Sequence, residues 1–151
     1  MRHLSERKTW PLSSIILAVS GIALVGMGLY FIVLRPALLP EDVRYMGLSV
    51  GQFDIVGPRL EVWLAQVFRV LGGYVLATGV LTITLAATSF RAHHWGAAIG
   101  AMIGCAASIG LMAAVNFAIN SDFKWVIFSM ALLWAYSLGL FWLEFKSLEN
   151  D

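Results

Sequence analysis

Four long apolar stretches, over residues 11–34, 60–90, 95–119 and 125–143, dominate this chain, and Arg69 is the one basic residue inside them. Each approaches or exceeds the roughly 20 apolar residues that a helix needs to cross ~30 Å of hydrocarbon. Because backbone polar groups in lipid must be satisfied within the segment, such stretches are helices. The sequence therefore predicts an all-α, antiparallel bundle of four transmembrane helices.

The composition supports the same class of protein. Apolar residues make up 60% of the chain and charged residues 13%, against about 25% charged residues in ordinary soluble domains. A formal net charge of +1 offers no basic field for nucleic acid, so the predicted partner is the lipid bilayer. We expect a single integral membrane domain over residues 1–151, with one longer outer loop over residues 35–59.

The distribution of lysine and arginine over the short loops predicts the orientation of the chain. Arg2, Arg7, Lys8, Arg91 and Lys146 lie on the side of the termini, and Arg35, Arg44, Arg59 and Lys124 lie on the other. The small excess on the first side favours cytoplasmic N and C termini in a bacterial-type inner membrane.

The outer loop contains a helix-start pattern. Pro40 is followed by Glu41 and Asp42, which places proline at the first helical position and acids in the first turn. Val43, Met46 and Val50 then recur at roughly helical spacing. The pattern predicts a short amphipathic helix at the membrane surface, and a loop without fixed structure is the alternative.

Small residues recur every four positions along the third apolar stretch. They are Gly96, Gly100, Gly104 and Ser108. In lipid, this spacing lets two helix backbones approach closely, as in a glycine zipper. One interpretation is that this helix lies at the centre of its own bundle. The other is that its glycine face binds a second copy of the chain or a membrane-protein partner.

Arg69 is the strongest candidate for a ligand contact, because ionisable residues at membrane depth are frequently functional. The other candidates lie near the outer end of the bundle. The predicted ligand-binding cluster is Arg69, Glu61, Asn116, Glu41, Asp42 and Arg44. The structural alternative is that the arginine extends to the headgroup region and that the acids and bases anchor the protein at the interface.

The remaining chemistry-bearing residues predict no catalytic, metal or cofactor site. His93 and His94 are adjacent in the sequence, so on a helix their side chains diverge by about 100° and do not chelate as an i,i+4 pair. Cys105 is the single cysteine, which excludes an intrachain disulfide and a CxxC redox pair.

Three functions follow in order of preference. The first is a non-enzymatic accessory or interaction subunit of the cytoplasmic membrane. The second is a binder or transporter of a lipophilic or anionic small molecule, with an outer-leaflet site around Arg69. The third is a membrane enzyme that uses Glu41, Asp42 or Glu61 as an acid–base group, although no nucleophile or metal set accompanies these carboxylates.

Overall fold

The computed structural model describes residues 10–47 and 50–149, except that the side chains of residues 50–56 lie outside the description. This part of the chain is helical and contains no strand. The helices are α1 (Leu12–Val33), α2 (Pro40–Met46), α3 (Val50–Leu85), α4 (Trp95–Cys105), α5 (Leu111–Ala118) and α6 (Lys124–Glu149).

Four helical segments are long and apolar enough to cross a membrane. They are Leu12–Val33, Gly57–Phe90, Trp95–Ala118 and Lys124–Glu149. The predicted four-helix, multi-pass membrane fold is therefore confirmed. We call the end of the bundle that carries α2 and the α5–α6 connection the loop end, and the opposite end, which carries Trp10 and the last turn of α6, the terminal end.

The helix in the outer loop is also present, although it is shorter than the sequence pattern predicts. It ends at Met46, and Gly47 follows with a left-handed φ of 64°. Residues 48 and 49 lie outside the described residues, and α3 already begins at Val50. Pro58 consequently lies inside α3 rather than in a loop, where it removes one backbone N–H donor from the helix.

Glycine residues bring α1 and α3 into close contact. Gly21 lies opposite Gly79, and Gly28 lies opposite Gly72. A Cβ atom at Gly28 would lie 2.5 Å from the backbone nitrogen of Leu76, and one at Gly79 would lie 2.7 Å from the carbonyl oxygen of Gly21. Only glycine fits at these positions, so these four residues set the distance between the two helices.

The third span does not take the central position that its small residues suggest. Helices α1 and α6 form the centre, since α1 packs against both α3 and α6, and α6 also packs against α4 and α5. A Cβ atom at Gly96 or Gly100 would meet no atom within 4 Å, and one at Gly104 would meet only the ring of Trp134, at 3.8 Å. Among the described residues, the predicted packing face is therefore largely unpartnered.

Among the described residues, one π-helical turn ends the second span and another interrupts the third. Ala86–Phe90 continues α3, and Ala106–Gly110 joins α4 to α5, so that α4 and α5 together form the third span. Short π-helical turns within α-helices are often found next to functional sites. The second of them contributes to the wall of the cavity described below.

At the terminal end, Glu144 of α6 contacts both the start of α1, at Ser13, and the turn after α3, at His93. Its carboxylate accepts hydrogen bonds from the backbone N–H of Ser13, at 3.2 Å, and from the hydroxyl of the same serine. Nε2 of His93, a residue with a left-handed φ of 55°, lies 3.2 Å from Glu144 Oε2, the oxygen that also accepts from the Ser13 hydroxyl. Because the first N–H groups of a helix lack partners within it, a carboxylate here stabilises α1.

Candidate functional site

A cavity of about 880 Å³ occupies the loop-end half of the bundle. Its wall includes Met27 of α1, Tyr74 of α3, Met112 of α5 and Ile127 of α6. Several lining side chains remain well exposed, among them Tyr74 of α3 by 71% and Leu111 of α5 by 58%. The cavity therefore opens sideways on the bundle surface, between α3 and α5, where the lipid would be.

The cavity exists because the second and third spans diverge. Helix α3 packs against α4 close to the turn that connects them, whereas it forms no extended contact with α5. The π-helical turn Ala106–Gly110 lies where the two spans separate, and Ala107, Ser108 and Ile109 from this turn line the space. The hydroxyl of Ser108 donates to its own helix, at Gly104 O, so it adds no free polar group to the wall.

A buried arginine closes the loop end of the cavity. The guanidinium carbon of Arg35 lies 3.3 Å from the centroid of the Phe68 ring and 5.3 Å from that of Phe31. The guanidinium also donates to Asp42 Oδ2 at 3.3 Å, and the arginine side chain is only 8% exposed. Burial lowers the pKa of Arg35, and the neighbouring Asp42 carboxylate offsets part of that shift. The arginine remains charged, because its ordinary pKa lies so far above neutrality.

Asp42 links this arginine to the start of α2. Its carboxylate oxygen Oδ2 also accepts a hydrogen bond from the backbone N–H of Leu39 at 2.9 Å. The side chain at the third position of a helix often satisfies the residue before the helix in this way. These two hydrogen bonds therefore hold α2 over the closed loop end of the cavity.

Glu41 forms the second polar contact at this end. The residue is 4% exposed, and its Oε1 atom accepts a hydrogen bond of 3.1 Å from the hydroxyl of Ser121. The same hydroxyl oxygen accepts from the backbone N–H of Phe123 at 3.1 Å. A buried carboxylate needs polar partners, and the Ser121 hydroxyl is one of them. The contact between Glu41 and Ser121 also connects α2 to the α5–α6 connection. Glu41 itself lies on the cavity wall.

Of the six residues in the predicted ligand-binding cluster, three line the cavity: Glu41, Asp42 and Asn116. Asn116 directs its amide N–H group to the carbonyl oxygen of Met112 in its own helix, at 2.8 Å. The structure therefore brings part of the predicted cluster together, at the predicted end of the bundle.

The other three members of the cluster lie outside the cavity. Arg69 is exposed and donates to Gln66 Oε1 at 3.2 Å, and Glu61 is also exposed. Arg44 forms a surface ion pair of 3.0 Å with Asp122. Phe68, not Arg69, faces the cavity, and successive helical residues point about 100° apart. Arg35, and not Arg69, is therefore the arginine that lines this cavity.

Arg35 and Ser121 also line the cavity, although neither belongs to the predicted cluster. Arg35 follows the first span directly and lies one helical turn after Phe31, a spacing that permits a stacked cation and aromatic ring. That signal was available in the sequence. The pairing of Ser121 with Glu41 was not, because 80 residues separate the two in the chain.

Among the described residues, no group of three or more His, Cys, Asp or Glu side chains could hold a metal ion. Comparison with known proteins yields no match, whether to a protein family, to a curated protein or to a solved structure. The class of protein is therefore defined by the fold alone, as a multi-pass helical membrane protein.

Proposed function

We propose that this membrane protein binds an amphiphile, a lipophilic molecule with a polar head, in the cavity at the loop end. The observation that carries the proposal is a large apolar cavity that opens towards lipid and ends in a buried polar group of Arg35, Asp42, Glu41 and Ser121. Such a site can bind the apolar chain of an amphiphile along its wall and the polar head of the same molecule next to α2.

The dimensions and lining of the cavity support this proposal. Small-molecule sites usually have volumes of about 300–1,000 Å³, mostly apolar walls and a few polar groups that orient the ligand. The cavity, at about 880 Å³, lies within that range. Its lateral opening lets a molecule already dissolved in the bilayer enter without crossing water.

Filling the cavity tests this proposal. Gly26 lines the cavity, and a Cβ atom there would meet nothing within 4 Å, so the Gly26→Phe side chain can occupy the ligand space without a backbone clash. In lipid nanodiscs, cross-linking of a photoreactive hexadecanol to the protein should fall roughly tenfold, the effect of about 1.4 kcal/mol of lost binding.

Gly73→Phe is the matched control, because Gly73 is also open at Cβ but does not line the cavity. Its cross-linking yield should equal that of the wild type, and the cross-linked wild-type peptides should include Met112 or Tyr74. Equal yields from the two phenylalanine variants and the wild type would contradict the proposal.

The unpartnered face of α4 favours a second function, as an interaction subunit that associates through the glycine face. The specific observation is that a Cβ atom at Gly96 or Gly100 would meet no other atom within 4 Å. If two copies pair through this face, Gly100→Leu should abolish a chemically cross-linked dimer in native-like lipid, whereas Gly73→Leu should not. A wild type that gives no cross-linked dimer or hetero-complex would remove this candidate.

We place the protein in a bacterial-type inner membrane with both termini in the cytoplasm. The support is the slight excess of basic residues on the terminal side, to which Arg91 and Lys146 contribute. Arg2, Arg7 and Lys8, which complete that excess, lie outside the described residues. In this orientation the cavity opens in the outer leaflet, and α2 lies on the outer surface.

A further inference from the structure

The charge balance at the polar end of the cavity indicates which headgroup the amphiphile carries. Three charged side chains line this end, and they comprise one cation, Arg35, and two anions, Asp42 and Glu41. The basic group is already satisfied, since Arg35 pairs with Asp42 at 3.3 Å and stacks on Phe68. An anionic headgroup would therefore find no free cation here, and it would face an excess negative charge.

Glu41 is the group that remains for a ligand. Its Oε1 atom accepts from Ser121, and Oε2 has no protein donor within the described residues. A carboxylate offers two oxygens and about four acceptor sites, so a single hydroxyl donor leaves most of that capacity unused. The residue is only 4% exposed and lines the cavity, so a ligand bound in the cavity can supply the further donors.

We propose that the cavity selects amphiphiles with a primary ammonium headgroup, which binds Glu41; this inference rests on the proposed function. An ammonium group has three N–H donors and one positive charge, which complements the formal charge of this end. Charge-assisted hydrogen bonds to a carboxylate are roughly twice as strong as neutral ones, and they are stronger still away from water.

The test compares three probes that share one chain and differ only in the head: hexadecylamine, hexadecanol and palmitate. Each competes with the photoreactive hexadecanol for the wild type in phosphatidylcholine nanodiscs. The amine should compete at about tenfold lower mole fraction than the alcohol, and palmitate should compete no better than the alcohol.

Glu41→Gln should remove the advantage of the amine over the alcohol, because a neutral amide oxygen can still accept from Ser121 but forms no charge-assisted hydrogen bond with an ammonium group. Glu61→Gln, an exposed glutamate outside the cavity, is the control and should behave as the wild type. If Glu41→Gln folds poorly, the comparison of the three probes on the wild-type protein still tests the headgroup assignment.

The outcomes separate the two proposals. Equal competition by the amine and the alcohol, or a preference for palmitate, would overturn the headgroup assignment while the amphiphile site stands. Failure of all three probes to compete, together with unchanged photolabelling of Gly26→Phe, would overturn the amphiphile site itself.

Discussion

Gly28→Ala is expected to disrupt the pairing of α1 with α3, although it adds a single methyl group. The new Cβ atom would lie 2.5 Å from the backbone nitrogen of Leu76 and 2.8 Å from the carbonyl oxygen of Gly72. Both obstacles are backbone atoms of a long helix, so no side-chain rotation relieves the contact and the two helices have to separate. Overpacking typically costs 1–3 kcal/mol, and we expect about 3 kcal/mol here.

Gly26→Ala, two residues earlier on α1, provides the matched comparison. Its Cβ atom would meet nothing within 4 Å, and alanine has a higher helix propensity than glycine. The free energy of unfolding of this variant should therefore equal or slightly exceed that of the wild type. Reversible unfolding in mixed micelles, followed by circular dichroism, gives the free energies of unfolding. If the two alanine variants are equally stable, α1 and α3 do not pack through Gly28.

Glu144→Ala is expected to have the second large effect, at the terminal end of the bundle. The substitution removes the acceptor for the backbone N–H and the hydroxyl of Ser13, a residue with no exposed surface, and the partner of His93. Each buried donor left without an acceptor costs roughly 1–3 kcal/mol. Because the Glu144 side chain is 27% exposed, water can reach part of this group, so we expect a total of about 2–4 kcal/mol.

Glu144→Gln and Glu149→Ala distinguish the cause of this loss. Glutamine keeps one acceptor oxygen and should lose less stability than alanine, while Glu149 is exposed on the same helix and its substitution should have little effect. Amide exchange at the first turn of α1 should accelerate in Glu144→Ala. If exchange there is unchanged, Glu144 does not hold the start of α1.

Most of the fold follows from the sequence because hydrophobic length is a strong constraint in lipid. The four spans and the helix that begins at Pro40 lie where the apolar stretches and the proline with two acids predict them. The start of α3 at Val50 was missed because glycines and a proline in that region are typical of a loop. Packing against other helices can override such local preferences.

The glycine pattern explains why the packing order was mispredicted. The residues that form the close contact, Gly21, Gly28, Gly72 and Gly79, are spaced by seven along each helix. In the more regular four-residue repeat of the third span, a Cβ atom at Gly96 or Gly100 would meet no other described residue within 4 Å. Spacing identifies a face that can pack closely, but it does not identify the helix that packs there. The repeat alone therefore could not distinguish a central helix from an outward-facing one.

The candidate site was predictable only in part for the same reason. The composition of the outer loop indicates a polar group at one end, and Glu41, Asp42 and Asn116 are found there. The cavity itself arises from the divergence of two spans that are neighbours in the chain, and it depends on the relative rotation of helices. The rotation of α3 places Phe68, rather than Arg69, on the wall of the cavity.

The most direct test of the proposed amphiphile site is a density map of the protein in a lipid nanodisc, obtained by electron cryomicroscopy with a bound antibody fragment. We expect α3 and α5 to be held apart, with elongated density between them that ends beside Glu41 and Ser121. A map in which α3 and α5 pack directly against each other, with no space between them, would contradict the proposal.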